Sequence, residues 1–336
     1  MEFLVQQTLT YATPLLIVAL AGVFAERSGI VNLALEGIMI FGAFSGVLFI
    51  RIMQDTDTFN KEQALALELL TMLVCAVAGA LFSLLLSYAA INLRANQTVS
   101  GTALNMLAPG LVLFLTNVLV NQNVLTMSEG DSASWFMLKR SDFGFTKTED
   151  LNFFESTFLV KNYLSAYICI GLFIVLSVIM YKTRFGLRLR ACGENPQAAD
   201  SVGINVAKMR YAGTTISGAL AGIGGFVFAL TTANCSSTGD VAGFGFLALA
   251  VMIFGNWNPW TIAAASFVFG LFKCIAAAYS TIDINGDGVY ALAEIGVSTN
   301  FYRMLPYIIT LVVLAFTSKS SRAPKASGIP YDKSVR

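Results

Sequence analysis

Apolar runs of about 20 residues recur along the whole chain, near 8–25, 30–50, 65–91, 98–121, 160–181, 209–232, 243–256, 259–281 and 303–317. A helix rises about 1.5 Å per residue, so about 20 apolar residues cross the roughly 30 Å hydrocarbon core of a bilayer. Lipid offers no partner for backbone N–H and C=O groups, so such runs must satisfy them internally, as helices. Only 12% of the 336 residues are charged, about half the usual share of about 25% in soluble domains. The expected fold is an all-α polytopic membrane protein with about nine (8–10) transmembrane helices. The run at 243–256 is short for a span and suggests a broken or re-entrant segment.

The sequence has no histidine. That excludes Ser-His-Asp and Cys-His catalysis, HExxH zinc sites and imidazole proton relays. The five cysteines are isolated and form no CxxC motif, so neither a disulfide framework nor a redox motif is expected. The start, MEFLVQQTLT, lacks a basic n-region and a clear cleavage site, and no removable signal is expected. A net charge of +1 gives no reason to expect nucleic acid as a partner.

Lys and Arg sort the loops by side. With 182–208 inside, alternation also places Arg27, Arg94 and the tail inside. Thirteen of the 21 basic residues then fall inside and seven outside, with Lys273 left within a span. The bias predicts one transmembrane domain, 1–318, with external loops at 122–160 and 282–302, a cytoplasmic loop at 182–208 and a cytoplasmic tail at 319–336. With nine spans the N-terminus lies outside. Trp135, Phe136, Phe143, Phe145, Phe153 and Phe154 alternate with charges in 122–160, as in an amphipathic piece at the membrane interface. An external docking surface is the alternative.

Leu33–Gly42 resembles Leu247–Gly255 with one residue deleted. The two copies sit five spans apart and would run in opposite directions, the geometry of an inverted internal repeat with a substrate site near mid-depth. Chance similarity of apolar text is the alternative. Polar residues at that depth are costly and are candidates for function. Asn32 and Glu36 lie one turn apart on a single helix face. Asn105 and Asn117 occupy the fourth run, and Asn234, Asp240, Asn256, Trp257 and Asn258 surround the short one. Few full charges are expected in the interior, and no acidic pair or Lys–Asp relay. Amides with aromatics suit a neutral, hydrogen-bonding solute; helix cross-linking is the competing role for each Asn. Asn32, Glu36, Asn105, Phe244, Phe246 and Asn256 are the candidate substrate path.

Asp283–Glu294, DINGDGVYALAE, fits the calcium-loop pattern. Asp283, Asn285 and Asp287 would supply side-chain oxygens, Val289 a carbonyl and Glu294 two oxygens. A plain Asx-rich turn is the alternative. Calcium is expected to raise the melting temperature, and Asp283→Ala to abolish that rise. A parent protein indifferent to calcium would remove the site.

The longest basic polar interval is Lys182–Asn205, with Lys182, Arg184, Arg188 and Arg190 within nine residues. Gly186 is expected to end one helix and Gly193 to make a turn. Asn195 and Pro196 then open a short helix, about 196–202, as cap and first residue. Lying along the membrane inside the cell, it could dock in a partner's cleft and pass on movement.

Four stretches carry a resemblance: Phe24–Leu33 with Glu36-Gly37; Thr183–Arg188 through Gly193–Pro196 to Gly203-Ile204; Gly245–Ala250 with Ile253–Pro259; and Leu305–Leu311. They are similar to bacterial ABC-transporter permeases of the branched-chain amino-acid/simple-sugar superfamily, and within it to nucleoside-uptake permeases. The resemblance implies a subunit of an importer in the bacterial cytoplasmic membrane. It would pair with a second, related permease, sit over cytosolic ATPases and receive its solute from a membrane-anchored lipoprotein. Gly193–Gly203 corresponds to the helix that contacts the ATPase, so Gly186, Arg188, Gly193, Glu194, Asn195, Pro196, Ala199 and Gly203 are the coupling candidates. The chain has no GxxxxGKS loop, which places ATP on the partner and leaves structural calcium as the chain's own ligand. The 122–160 and 283–294 loops depart from the family pattern. Import of simple sugars or branched-chain amino acids is the nearest alternative, an ion-coupled secondary transporter the alternative of another class.

Overall fold

The computed structural model describes residues 2–59, 61–128, 132–138, 155–159, 162–279, 298–317 and 322–332. Helices dominate: α1 (Glu2–Arg27), α2 (Leu35–Asp55), α3 (Ala64–Ile91), α4 (Gln97–Val120), α5 (Ser132–Phe136), α6 (Leu164–Lys182), α7 (Arg184–Glu194), α8 (Pro196–Ser201), α9 (Val206–Thr231), α10 (Phe244–Phe254), α11 (Pro259–Ala278) and α12 (Thr299–Thr317). Among the described residues, seven helices are long and apolar enough to cross a membrane: α1, α2, α3, α4, α6, α9 and α11. The segment expected to be broken is an 11-residue helix, α10, about 16 Å long and half of a crossing.

Asparagines punctuate the chain where it re-enters helix. Asn96, Asn195, Asn205 and Asn258 each cap a helix, accepting from Thr98 N, Ala198 N, Lys208 N and Trp260 N at 2.9–3.1 Å. A cap of this kind satisfies one of the orphan donors of a first turn.

The core is built on α1 and α9. They run antiparallel: Val18 meets Gly224 and Phe24 meets Gly213. α9 also lies antiparallel to α3, where Cys75 meets Gly222 and Ser87 bonds Thr214 at 2.6 Å. At Gly222 an added Cβ would strike the Cys75 carbonyl, so the close backbone approach requires glycine. Packing partners exchange between the two halves. α1 lies against α9, α10 and α11, while α9 lies against α1, α2 and α3; α2 touches α3 and α4 as α10 touches α11 and α12. With α1 and α9 opposed in direction, this exchange is that of an inverted repeat.

Loops gather at two ends. At one, Arg51 donates to Thr126 O, Lys61 to Ser134, and β1 (Leu125–Thr126) pairs antiparallel with β2 (Ser236–Ser237). The part of 122–160 that is described includes α5, whose Phe136 is buried and packs toward α3. At the other end Arg27, Arg94, α7, α8 and the chain's last described segment meet. Charge counting put the same loops together.

That last segment, expected as a plain tail, is a strap. Ala326 N donates to Gly193 O, Gly328 N to Gly29 O, and Arg94 pairs with both Asp332 oxygens at 2.5 and 3.1 Å. Arg210, 1% exposed, donates to Ile329 O and faces the Tyr331 ring.

Candidate substrate path and coupling face

Two interrupted helices meet inside the bundle. After α1 ends, residues 28–34 run without helix back into the body, where Asn32 bonds Ser217 at 2.9 Å. Ser217 lies seven residues along α9 from Arg210, about 10 Å deeper, and α2 begins there. From the other end, residues 232–243 re-enter after α9 and α10 begins. Phe244 at its start packs on Tyr11, and Met252 near its end lies against Gly22. Both contacts fall in the interior of α1.

Glu36 joins the two starts. Its carboxylate accepts from Gly243 N at 2.9 Å, Gly245 N at 2.6 Å and Phe246 N at 3.2 Å. Gly243 holds a left-handed φ of 73°, which swings the re-entrant chain into α10 and aims these N–H groups at the acid. A negative charge at a helix N-terminus is favoured by the aligned peptide dipoles. Asn105 clamps the opposite side, accepting from Gly37 N at 2.8 Å and donating to Leu33 O at 2.7 Å.

These contacts divide the expected path. Asn32 is fully buried, and its Oδ1 also accepts from Ala34 N. Both amide atoms of Asn105 and both oxygens of Glu36 are occupied by backbone. The three residues build the junction rather than line an opening. Phe244 is 2% exposed among Tyr11 and Phe228, whereas Phe246 is 52% exposed and open. Asn256 lies at the strap end, where its Oδ1 accepts from Arg322 N at 2.7 Å, and does not join the junction.

The expectation of few interior charges is corrected. Glu26, Glu36, Glu68 and Arg210 are all buried; Glu68 accepts from Ser165 N and Glu26 from the Trp257 indole at 2.7 Å. Each acid is held by neutral donors, which the sequence places far away. Lys273 stands in α11 within electrostatic reach of Glu36 and Asp240. Its ammonium donates to Ala242 O at 3.2 Å and lies 4.8 Å from the Phe244 ring centroid and 5.6 Å from that of Tyr307. Asp240 and Tyr307 are exposed beside it. Charge is costly against lipid, which marks Lys273 and Asp240 as candidates for function. Sequence reasoning missed Lys273 and Tyr307, although a lysine inside an apolar run is the signal that could have found the first.

On the other face, α8 forms as expected: Asn195 caps it and Pro196 is its first residue. Two glycine roles differ from expectation. Gly186 lies in the first turn of α7 and not at a helix end, pressed against the Met180 carbonyl. Gly193 is helical, and an added Cβ would strike the Arg27 carbonyl. Both are there for close approach. Glu194 pairs with Arg27 at 3.3 Å, linking α7 to the end of α1. Arg188 and Gly203 are exposed, and Ala199 is buried under α8 against Cys192 and Val206. The loop with Asp283, Asn285, Asp287, Val289 and Glu294 lies outside the described residues.

Interrupted helices that meet inside a bundle of membrane-length helices, with a short helix at one end, fit an all-α polytopic membrane protein. The chain belongs to the family described as branched-chain amino acid transport system / permease component, which matches residues 4–314. It is 39% identical to the nucleoside ABC transporter permease protein NupC of Lactococcus lactis, over 99% of this chain and 98% of that one. It is 39% identical to the guanosine ABC transporter permease protein NupQ of Bacillus subtilis, over 100% and 98%. A more distant match is the nucleoside ABC transporter permease protein NupB of Lactococcus lactis, 22% identical over 96% and 85%. No solved structure matches the chain.

Proposed function

We propose that this chain is the membrane subunit of an ATP-driven importer of nucleosides. The observation that carries this reading is end-to-end similarity to two permeases named for nucleoside and guanosine transport. Phe246 and Tyr307 offer ring faces to a base, and Asp240 and Lys273 offer polar partners to ribose hydroxyls. A second, related permease completes the path. This chain resembles both NupC and NupB of one organism, at unequal identity, as expected where two diverged permeases work together. ATP sits on partner ATPases that dock at α8, and a lipoprotein delivers solute at the β1–β2 end. The strap end is cytoplasmic, in the bacterial cytoplasmic membrane, as the positive-inside bias requires.

The coupling route runs through packed contacts. Movement of α8 reaches α7, passes at Gly193 and Glu194 to the end of α1, and travels along α1 to Gly22 and Tyr11, which hold α10. A shift of α10 against Glu36 changes how the two interrupted helices meet. The solute is then exposed to one side or the other, driven by the differential stability of two packings.

The test is uptake of radiolabelled uridine, adenosine and ribose by the reconstituted complex. ATP-dependent uptake of the nucleosides and not of ribose is expected. Uptake driven by an ion gradient without ATP, or of ribose alone, would overturn the reading.

A further inference from the structure

A cleft of about 540 Å³ opens at the strap end between α6 and the start of α11. Its rim is basic. Arg27, Lys182 and Arg322 line it, and Arg190 lies close by, over the Tyr181 ring at 5.0 Å. Both nearby acids are already engaged: Glu194 by Arg27, Glu26 by the Trp257 indole. Among the described residues neither Lys182 nor Arg322 has an ion-pair partner, and the buried Nε of Arg27 has no hydrogen-bond partner. The site therefore presents net positive charge and at least one unmet donor.

Its other wall is apolar. Ile174 and Val178 are each 51% exposed, and Trp260 is 79% exposed. They stand on helices of which little is covered by protein: 22% of the α6 span and 28% of the α11 span is buried. Tyr181 and Trp257 fix the floor, the phenol donating to the Trp257 carbonyl. Cations beside a tryptophan, above an aliphatic groove at a helix end, match the composition of a membrane interface.

We propose that this cleft binds one anionic glycerophospholipid. Its phosphate sits among Arg27, Lys182 and Arg322, and an acyl chain runs along Ile174 and Val178. The charge complementarity selects an anion, and the apolar wall selects a lipid over a free phosphate. The lipid would lie against α6 and the 255–258 turn, beside the Arg27–Glu194 link, where it can stiffen the end of α1.

The test is native mass spectrometry of the full complex released from nanodiscs of phosphatidylcholine and phosphatidylglycerol in equal amounts. The parent is expected to retain phosphatidylglycerol in preference. Lys182→Gln with Arg322→Gln should lower that retention about thirtyfold, as for two near-surface cations worth about 1 kcal/mol each. Both side chains are exposed, so the double variant should melt like the parent in phosphatidylcholine alone. Lys208→Gln, exposed at the same end but outside the cleft, should retain the lipid. Equal retention of the two lipids, an unaffected double variant, or an equal loss with Lys208→Gln would overturn the proposal. Displacement of the lipid by millimolar inorganic phosphate would also overturn it, showing that the anion alone suffices.

Discussion

Glu36→Ala is expected to abolish uptake and to lower the melting temperature of the complex, because the carboxylate joins the two interrupted helices. It takes three backbone N–H groups of the α10 start and stands within electrostatic reach of Lys273. Leaving buried donors unpaired costs about 1–3 kcal/mol each, so a loss of about 3 kcal/mol or more is expected. Glu36→Gln keeps one acceptor oxygen and the shape but loses the charge at the helix N-terminus. It should recover most of the thermal stability and only part of the transport. A Gln variant that transports like the parent would show that the cap needs an acceptor and not a charge. An alanine variant with parental melting would show that the junction is not held there. Both are read by scanning fluorimetry and by uptake in the same proteoliposomes.

Gly193→Val is expected to separate the motor from the path. The residue lies under the Arg27 carbonyl with no room for a Cβ, and its own carbonyl accepts from Ala326 N in the strap at 2.8 Å. A branched side chain would push α7 off the end of α1 and loosen the strap, while α8 and its exposed residues remain available to the ATPase. ATP hydrolysis by the assembled complex should therefore continue while uptake falls at least tenfold. Glu194→Ala removes only the Arg27 ion pair, which is partly exposed and worth about 1 kcal/mol or less; a severalfold fall is expected. Pro196→Gly loosens α8 itself and should lower both activities. Parallel loss of hydrolysis and uptake with Gly193→Val would place the residue in ATPase docking instead.

Local chemistry was legible and distant partners were not. Asn195-Pro196 announced α8 because a cap and a fixed φ act within four residues. The short apolar run at 243–256 announced a half-crossing by its length alone. Gly186 and Gly193 were misread as helix breakers, because their reason is a neighbouring backbone, Met180 in one case and Arg27 in the other. Asn32 and Asn105 offered the same amides whether they met solute or helix. The protein partners that they meet lie 185 and 68 residues away. Glu36 was marked as costly, but the donors that satisfy it belong to a segment 207 residues later. Lys273 stood out within its run, and only the fold puts Glu36, Asp240 and Tyr307 around it.

The strap has a consequence for how the protein is made. Residues 322–332 leave the ribosome after the described membrane-spanning helices, yet they complete contacts with Gly29, Arg94, Gly193 and Arg210. Until they arrive, a nearly fully buried guanidinium lacks the Ile329 carbonyl and the two bundles lack their common tie at that end. That end of the bundle is thus complete only once the strap has docked. A motor that recognised this face in its finished form would engage the permease only after the strap had docked.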